Sequence, residues 1–162
     1  MTTYRYNLFA KILYRYGNIP ITFFLLIYLI ESVVQLPQHW YAVFFIIINL
    51  AIIISLNKYY AKTYKLFPFK ISADNEKMIC SNFFLRKKNV EIKLIDIDKI
   101  SGGIFSGYPS RAIYLHDSVT DQTIGIYIHS ASYKNLLKLI LKNIPQTLYD
   151  DLLEKMKTEK KN

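Results

Sequence analysis

The sequence has a single cysteine, Cys80, in 162 residues. A lone thiol excludes a disulfide framework and any zinc site built on several cysteines. Glycine and proline number five each, too few for a collagen-like or linker-rich chain. Motifs for common chemistry are missing as well. Gly102, Gly103 and Gly107 lack the spacing of a phosphate-binding loop. Neither H-E-x-x-H nor G-x-S-x-G occurs. His116 and His129 fall near the ends of two strand-like stretches, with Asp117 beside the first. Two histidines and an acid can hold a metal, but strand ends are ordinary places for histidine. Asp96 and Asp98 alternate around Ile97 and read as a solvated face offset by Lys93 or Lys99. No catalytic set, cofactor or metal is therefore expected.

Acid is scarce in the first part of the chain. Residues 1–65 hold six Lys or Arg and one acid, Glu31; residues 66–162 hold fifteen and eleven. The net charge of +9 is thus split almost evenly, and the second part lacks an aromatic-basic stripe, so no nucleic acid is expected as a partner.

What is present is apolar. Residues 20–36 (PITFFLLIYLIESVVQL) and 40–56 (WYAVFFIIINLAIIISL) form two runs of seventeen residues. Each makes about 25 Å of helix, and flanking residues such as Ile19, Tyr59 and Tyr60 extend it toward the ~30 Å hydrocarbon core. A second apolar run at once after the first, with no small-x-small site between them, argues against a cleaved signal peptide. The connection Pro37-Gln38-His39 carries no Lys or Arg, whereas Arg5, Lys11 and Arg15 precede the pair and Lys58, Lys62, Lys65 and Lys70 follow it. The positive-inside rule predicts a tight transmembrane hairpin over 19–57 in the cytoplasmic (inner) membrane, with both termini cytoplasmic.

Two polar residues fall within the spans. Glu31 is costly there and is a candidate intramembrane site; its structural alternative is to reach the outer interface or pair with His39. Asn49 lies deeper and is expected to make an interhelical hydrogen bond, within the hairpin or to another copy. Residues 1–18 carry Tyr4, Leu8, Phe9, Ile12, Leu13 and Tyr16 at helical spacing, which predicts an amphipathic segment in the headgroup region. The alternation Tyr4-Arg5-Tyr6 offers a competing reading, a strand added to the C-terminal domain. Residues 58–65 read as a linker.

From residue 66 to 162 the pattern is that of a soluble α+β domain. Strand-like runs cover 67–72, 77–85, 90–95, 97–105, 111–116 and 123–129, joined by short turns that imply antiparallel pairing. Gly102-Gly103 marks a bulge or bend. A helix follows, with Tyr133, Leu136, Leu137, Ile140 and Leu141 on one face and Lys134, Lys138 and Lys142 on the other. Ser130 or Ser132 is its expected cap, and Asn143 with Pro145 ends it. A second helix is predicted over 147–157. Six strands closed by one helix imply a bent antiparallel sheet plugged at an open end. Cys80, between Ile79 and Ser81, reads as a small core residue.

In the order of its elements, residues 67–143 resemble the bacterial pleckstrin-homology-like domains that follow paired transmembrane helices. The phrases that carry the resemblance are VEIKLIDIDKISGG, RAIYLHD and TIGIYIHSASYKNLLKLI. The resemblance implies a PH-like fold of six or seven strands, the seventh coming from 59–66 or the N-terminal segment. It does not imply phosphoinositide binding here, because the first turn, residues 73–76, carries two acids. The basic turn Arg86, Lys87 and Lys88 is the candidate contact for lipid or a partner.

The function expected from these features is a membrane-anchored, non-enzymatic binding or scaffold module at the cytoplasmic face. Its partners are the lipid bilayer, an unidentified protein and further copies of itself. A groove beside the final helix and open sheet edges suit peptide docking. Two alternatives stand beside it. One is self-immunity against a membrane-active bacteriocin, the role of similar small two-helix proteins. The other is a subunit of a membrane transport or enzyme complex.

Overall fold

A computed structural model describes residues 1–84, 88–108, 110–128 and 132–159. In chain order the elements are β1 (Thr2–Arg5), α1 (Leu8–Tyr16), α2 (Asn18–Gln35), α3 (Ala42–Leu66), β2 (Lys70–Ala73), β3 (Lys77–Ser81) and β4 (Val90–Lys93). Then come β5 (Ile97–Gly102), β6 (Ile113–Asp117), β7 (Gln122–Ile126), α4 (Tyr133–Asn143) and α5 (Gln146–Glu159). The chain divides into two compact units: Met1–Lys11 with Tyr64–Asn162, and Ile12–Thr63.

The first unit is α+β. Its strands form two antiparallel sheets, ordered β1-β2-β3-β4 and β5-β6-β7. The single bent sheet expected from the sequence is therefore two. The separation falls at residues 94–96, where the chain makes one turn of 3₁₀ helix, Leu94–Asp96. The run predicted over 90–95 stops at Lys93 for that reason. Leu94 is fully buried at this corner, and its amide donates to the Glu76 carbonyl at 2.8 Å.

The seventh strand comes from the N-terminus. Thr2 to Arg5 pair with Ala73 to Lys70, with Thr3 opposite Ser72 and Tyr4 opposite Ile71. Tyr4 is buried. The strand reading of Tyr4-Arg5-Tyr6 thus describes residues 2–5, while Leu8 onward is helical.

Period-two alternation sorts the side chains. β2 and β3 bury Ile71, Ala73, Met78 and Cys80, and β4 buries Val90 and Ile92. From the other sheet come Ile97, Ile113, Leu115 and Ile124, and α4 contributes Leu136 and Ile140 to the same core. Burial of each of these two α4 side chains is worth about 1.5–3 kcal/mol. Cys80 is a core residue whose thiol is pushed up to about 12 by burial.

Local chemistry ends the elements. Gly102 and Gly103 both have positive φ, and Gly102 sits so close to the Ala112 carbonyl that a Cβ would overlap it. The chain therefore leaves β5 for a 3₁₀ turn, Gly103–Ser106, and not for the longer strand expected through 105. Ser132 precedes α4 in a left-handed conformation and makes no side-chain cap. Its carbonyl instead accepts from the amides of Asn135 and Leu136. Ser130 lies outside the described residues. Ile144 is extended, as the residue before a proline tends to be.

The second unit carries the apolar helices. α2 and α3 are long and apolar enough to cross a membrane, and 0% and 6% of their apolar windows are buried. Phe23, Phe24, Ile30, Phe44, Ile47 and Ile54 are all exposed. An exposed apolar surface of this extent marks a face that lipid or another protein covers. The connection between the helices is a tight turn in which the amides of Gln38 and His39 donate to the Gln35 carbonyl. α3 runs to Leu66, so residues 58–65 are helical and not a linker. No glycine or proline interrupts them, and Pro68 comes just beyond the end.

Candidate functional site

Glu31 and Asn49 both bond within their own helices. Glu31 Oε1 accepts a hydrogen bond from Gln35 Nε2 at 3.2 Å, one turn along its own helix. His39 does not pair with it; the imidazole stacks on Tyr41 at 5.1 Å. Asn49 Nδ2 donates to the Phe45 carbonyl of its own helix at 2.9 Å, so among the described residues it does not bridge α2 and α3. Within the hairpin the bridge is made by another asparagine. Asn57 Oδ1 accepts from Asn18 Nδ2, and Asn57 Nδ2 donates to Thr22 Oγ1, both at 2.9 Å. Asn18 and Thr22 are one turn apart on α2, a spacing that marks them as one polar edge. Beside this bridge the Tyr60 hydroxyl donates to the Leu13 carbonyl at 3.2 Å, against Gly17. A Cβ at Gly17 would lie 2.6 Å from that hydroxyl, so only glycine admits the contact.

In the α+β unit, the chain on either side of the apolar pair is clasped by aromatic rings. Phe67 stacks on Tyr127 at 4.0 Å, and Tyr6 meets Phe69 and Tyr127 edge-on at 5.4 and 6.0 Å. The Tyr127 amide donates to the Tyr6 hydroxyl at 3.0 Å in a buried setting. Gly125 makes room, because a Cβ there would overlap the Phe67 ring. Sequence reasoning did not find this clasp. Its residues are scattered over 120 positions; Tyr6, Phe67 and Phe69 flank the apolar runs, whereas Tyr127 lies far from them and carries no such signal.

Arg86 and Lys87 of the basic turn lie outside the described residues. Lys88 Nζ donates to Gln122 Oε1 at 3.1 Å. At the turn after β2, Asp74 Oδ1 accepts from the amides of Lys77 and Glu76. These bonds hold the Asp74 carboxyl below its ordinary value. Lys77 pairs with Glu91 at 2.8 Å, which raises the ammonium above its usual range. The turn spends its charges on its own geometry. His116 Nδ1 is 3.1 Å from Thr123 Oγ1, and His129 lies outside the described residues. Asp117 is buried and accepts from the Val119 and Thr120 amides and the Thr120 hydroxyl. Its carboxylate shapes the β6–β7 turn. Asp96 and Asp98 line a cleft of about 410 Å³ together with Asp151, and among the described residues neither forms an ion pair.

In the α+β unit a groove of about 550 Å³ lies between α4 and α5. It exists because the extended Ile144 and Pro145 turn the chain between the helices. Lys134, Lys138 and Lys142 stand along one rim. Leu137, Leu141 and Tyr149 provide an apolar floor. The sequence set the lysines on the face away from the apolar stripe, and all three are exposed. It did not show that α5 folds back to leave an apolar trough beside them. The groove thus combines an apolar floor with a basic rim. Comparison with family models, with curated proteins and with solved structures found no match for this chain.

Proposed function

We propose that this chain is a membrane-anchored, non-enzymatic binding module whose PH-like domain docks a protein at the cytoplasmic face. One observation carries the reading. The chain leaves the α+β unit, forms two exposed apolar helices, and returns to pair β2 with β1 and to close the Tyr6–Tyr127–Phe67 clasp. Two spans bring the chain back to the side it left, which is the side on which both partners of that pairing must lie. The flanks of the pair carry Arg5, Lys11, Arg15, Lys58, Lys62 and Lys65, and the turn between the helices carries no Lys or Arg. That asymmetry favours the cytoplasm for the folded unit. The PH-like assignment is supported by seven strands arranged as four and three, followed by a helix whose Leu136 and Ile140 enter the core. The α4–α5 groove is the docking surface of this reading.

Washing membranes at alkaline pH tests the anchor. The protein stays with the pellet; recovery in the aqueous wash overturns the reading. Protease added to intact cells leaves the α+β unit whole, and digestion of that unit overturns the sidedness.

A further inference from the structure

We propose that the α4–α5 groove receives an acidic amphipathic helix of a partner protein, one with carboxylates a turn apart along an apolar stripe. The inference rests on the docking-module reading and names the kind of partner it requires. Lys134, Lys138 and Lys142 follow one another at intervals of four, so they rise about 6 Å apart along α4. None of the three makes a hydrogen bond or ion pair among the described residues. Among the described residues, no acidic side chain lines the groove. Like charges one turn apart repel one another, and carboxylates at the same interval on an adjacent helix relieve that repulsion. The apolar floor supplies the other half of the match. Leu137, Leu141 and Tyr149 form a trough of about 550 Å³, large enough for two or three aliphatic side chains from one helix face. Tyr149 gives it an aromatic anchor of the kind that dominates interfaces. A surface of lipid headgroups has charge but no helical period and no apolar stripe beside it. The periodic row and the trough together favour a helix.

The test uses the full chain in zwitterionic nanodiscs and a fluorescent synthetic helix. The peptide carries Glu at three successive intervals of four, with Leu on the adjoining stripe. Fluorescence anisotropy reads the affinity. The peptide binds, and it weakens as salt is raised. The triple variant Lys134→Glu, Lys138→Glu, Lys142→Glu weakens it at least about tenfold. A peptide with Lys in place of Glu regains binding on that variant. If the triple change disturbs folding, Lys138→Gln alone still weakens the Glu peptide several-fold. Equal affinity for a scrambled peptide of the same composition overturns the proposal, and so does unchanged affinity in both variants. Loss of peptide binding when phosphatidylglycerol replaces the zwitterionic lipid assigns the surface to the membrane instead. Self-association abolished by the triple variant assigns it to a second copy, and either result overturns the proposal. Failure of the peptide in a chain that stays membrane-bound refutes this inference alone. A chain that washes off the membrane refutes the docking-module reading whatever the peptide does.

Discussion

The two units of this chain use apolar residues in opposite ways. In the α+β unit, Ile71, Met78, Ile92, Leu94, Ile113 and Leu115 are almost wholly removed from solvent. In the helical unit, residues of the same type point outward: Ile47 is 58% exposed and Ile54 is 60% exposed. The polar contacts invert in the same way. The α+β unit keeps most of its charged groups at turns and surfaces, whereas the helices join through Asn18, Thr22 and Asn57. The difference teaches that the two units answer to different surroundings in the proposed reading. The α+β unit follows the rules for water, and the exposed apolar helices, joined by polar side chains, have what a membrane span would require.

The sharpest way to separate the two units is to make one kind of deletion in each. Leu115→Ala lowers the stability of the α+β unit by about 2–5 kcal/mol, because it leaves a cavity in a closed core. Ile47→Ala, at an outward position, changes it by less than about 0.5 kcal/mol. Denaturant unfolding followed by alkylation of Cys80 measures both, since burial keeps that thiol protonated and covered until the core opens. Equal effects at the two positions would break the comparison.

The clasp comes next in size. Tyr6→Phe strands the buried Tyr127 amide and costs about 1–3 kcal/mol. The same unfolding experiment checks it, with faster hydrogen exchange at Tyr127 as a local signature. Within the helices, Asn57→Ala weakens the pairing of α2 and α3 by about 1 kcal/mol, and Asn49→Ala leaves it unchanged. Distance measurements between labels on the two helices, in detergent, distinguish the variants.

The smallest effect is at Asp74. Its folded carboxyl is held below the ordinary 3.8 by the Lys77 and Glu76 amides. It therefore adds stability that is fully present above the unfolded value and is lost as pH falls through the folded value. Asp74→Asn removes this dependence, so acid unfolding curves of variant and parent converge at low pH. Curves that stay parallel throughout would show that the turn gains nothing from the charge.

Much of this organisation was legible in the sequence because it is periodic. Alternation marked the cores of β2, β3, β4 and β6, and the four-residue interval marked both faces of α4. Length and composition marked the apolar pair. The misses share a cause, which is dependence on partners distant along the chain. β1 has four residues and only the alternation Tyr4-Arg5-Tyr6 to announce it; it becomes a strand by pairing with residues 70–73. Asn49 and Asn57 are alike in composition, and only the register of α2 against α3 decides which of them bridges. The break into two sheets lies in a run, 90–95, that alternates well enough to pass for one strand. The lysines of α4 were legible as a face, but the trough beside them required the path of α5.

The central claim is that β1 and β2 pair on one side of a bilayer that the intervening helices span. A disulfide between Thr3→Cys and Ser72→Cys tests it most directly, because these residues are register partners with hydroxyls 3.1 Å apart. In membranes washed at alkaline pH, mild oxidation should convert nearly all of the pelleted protein to the cross-linked form. Pelleted protein that stays reduced, or cross-linked protein found only in the aqueous wash, would contradict the account.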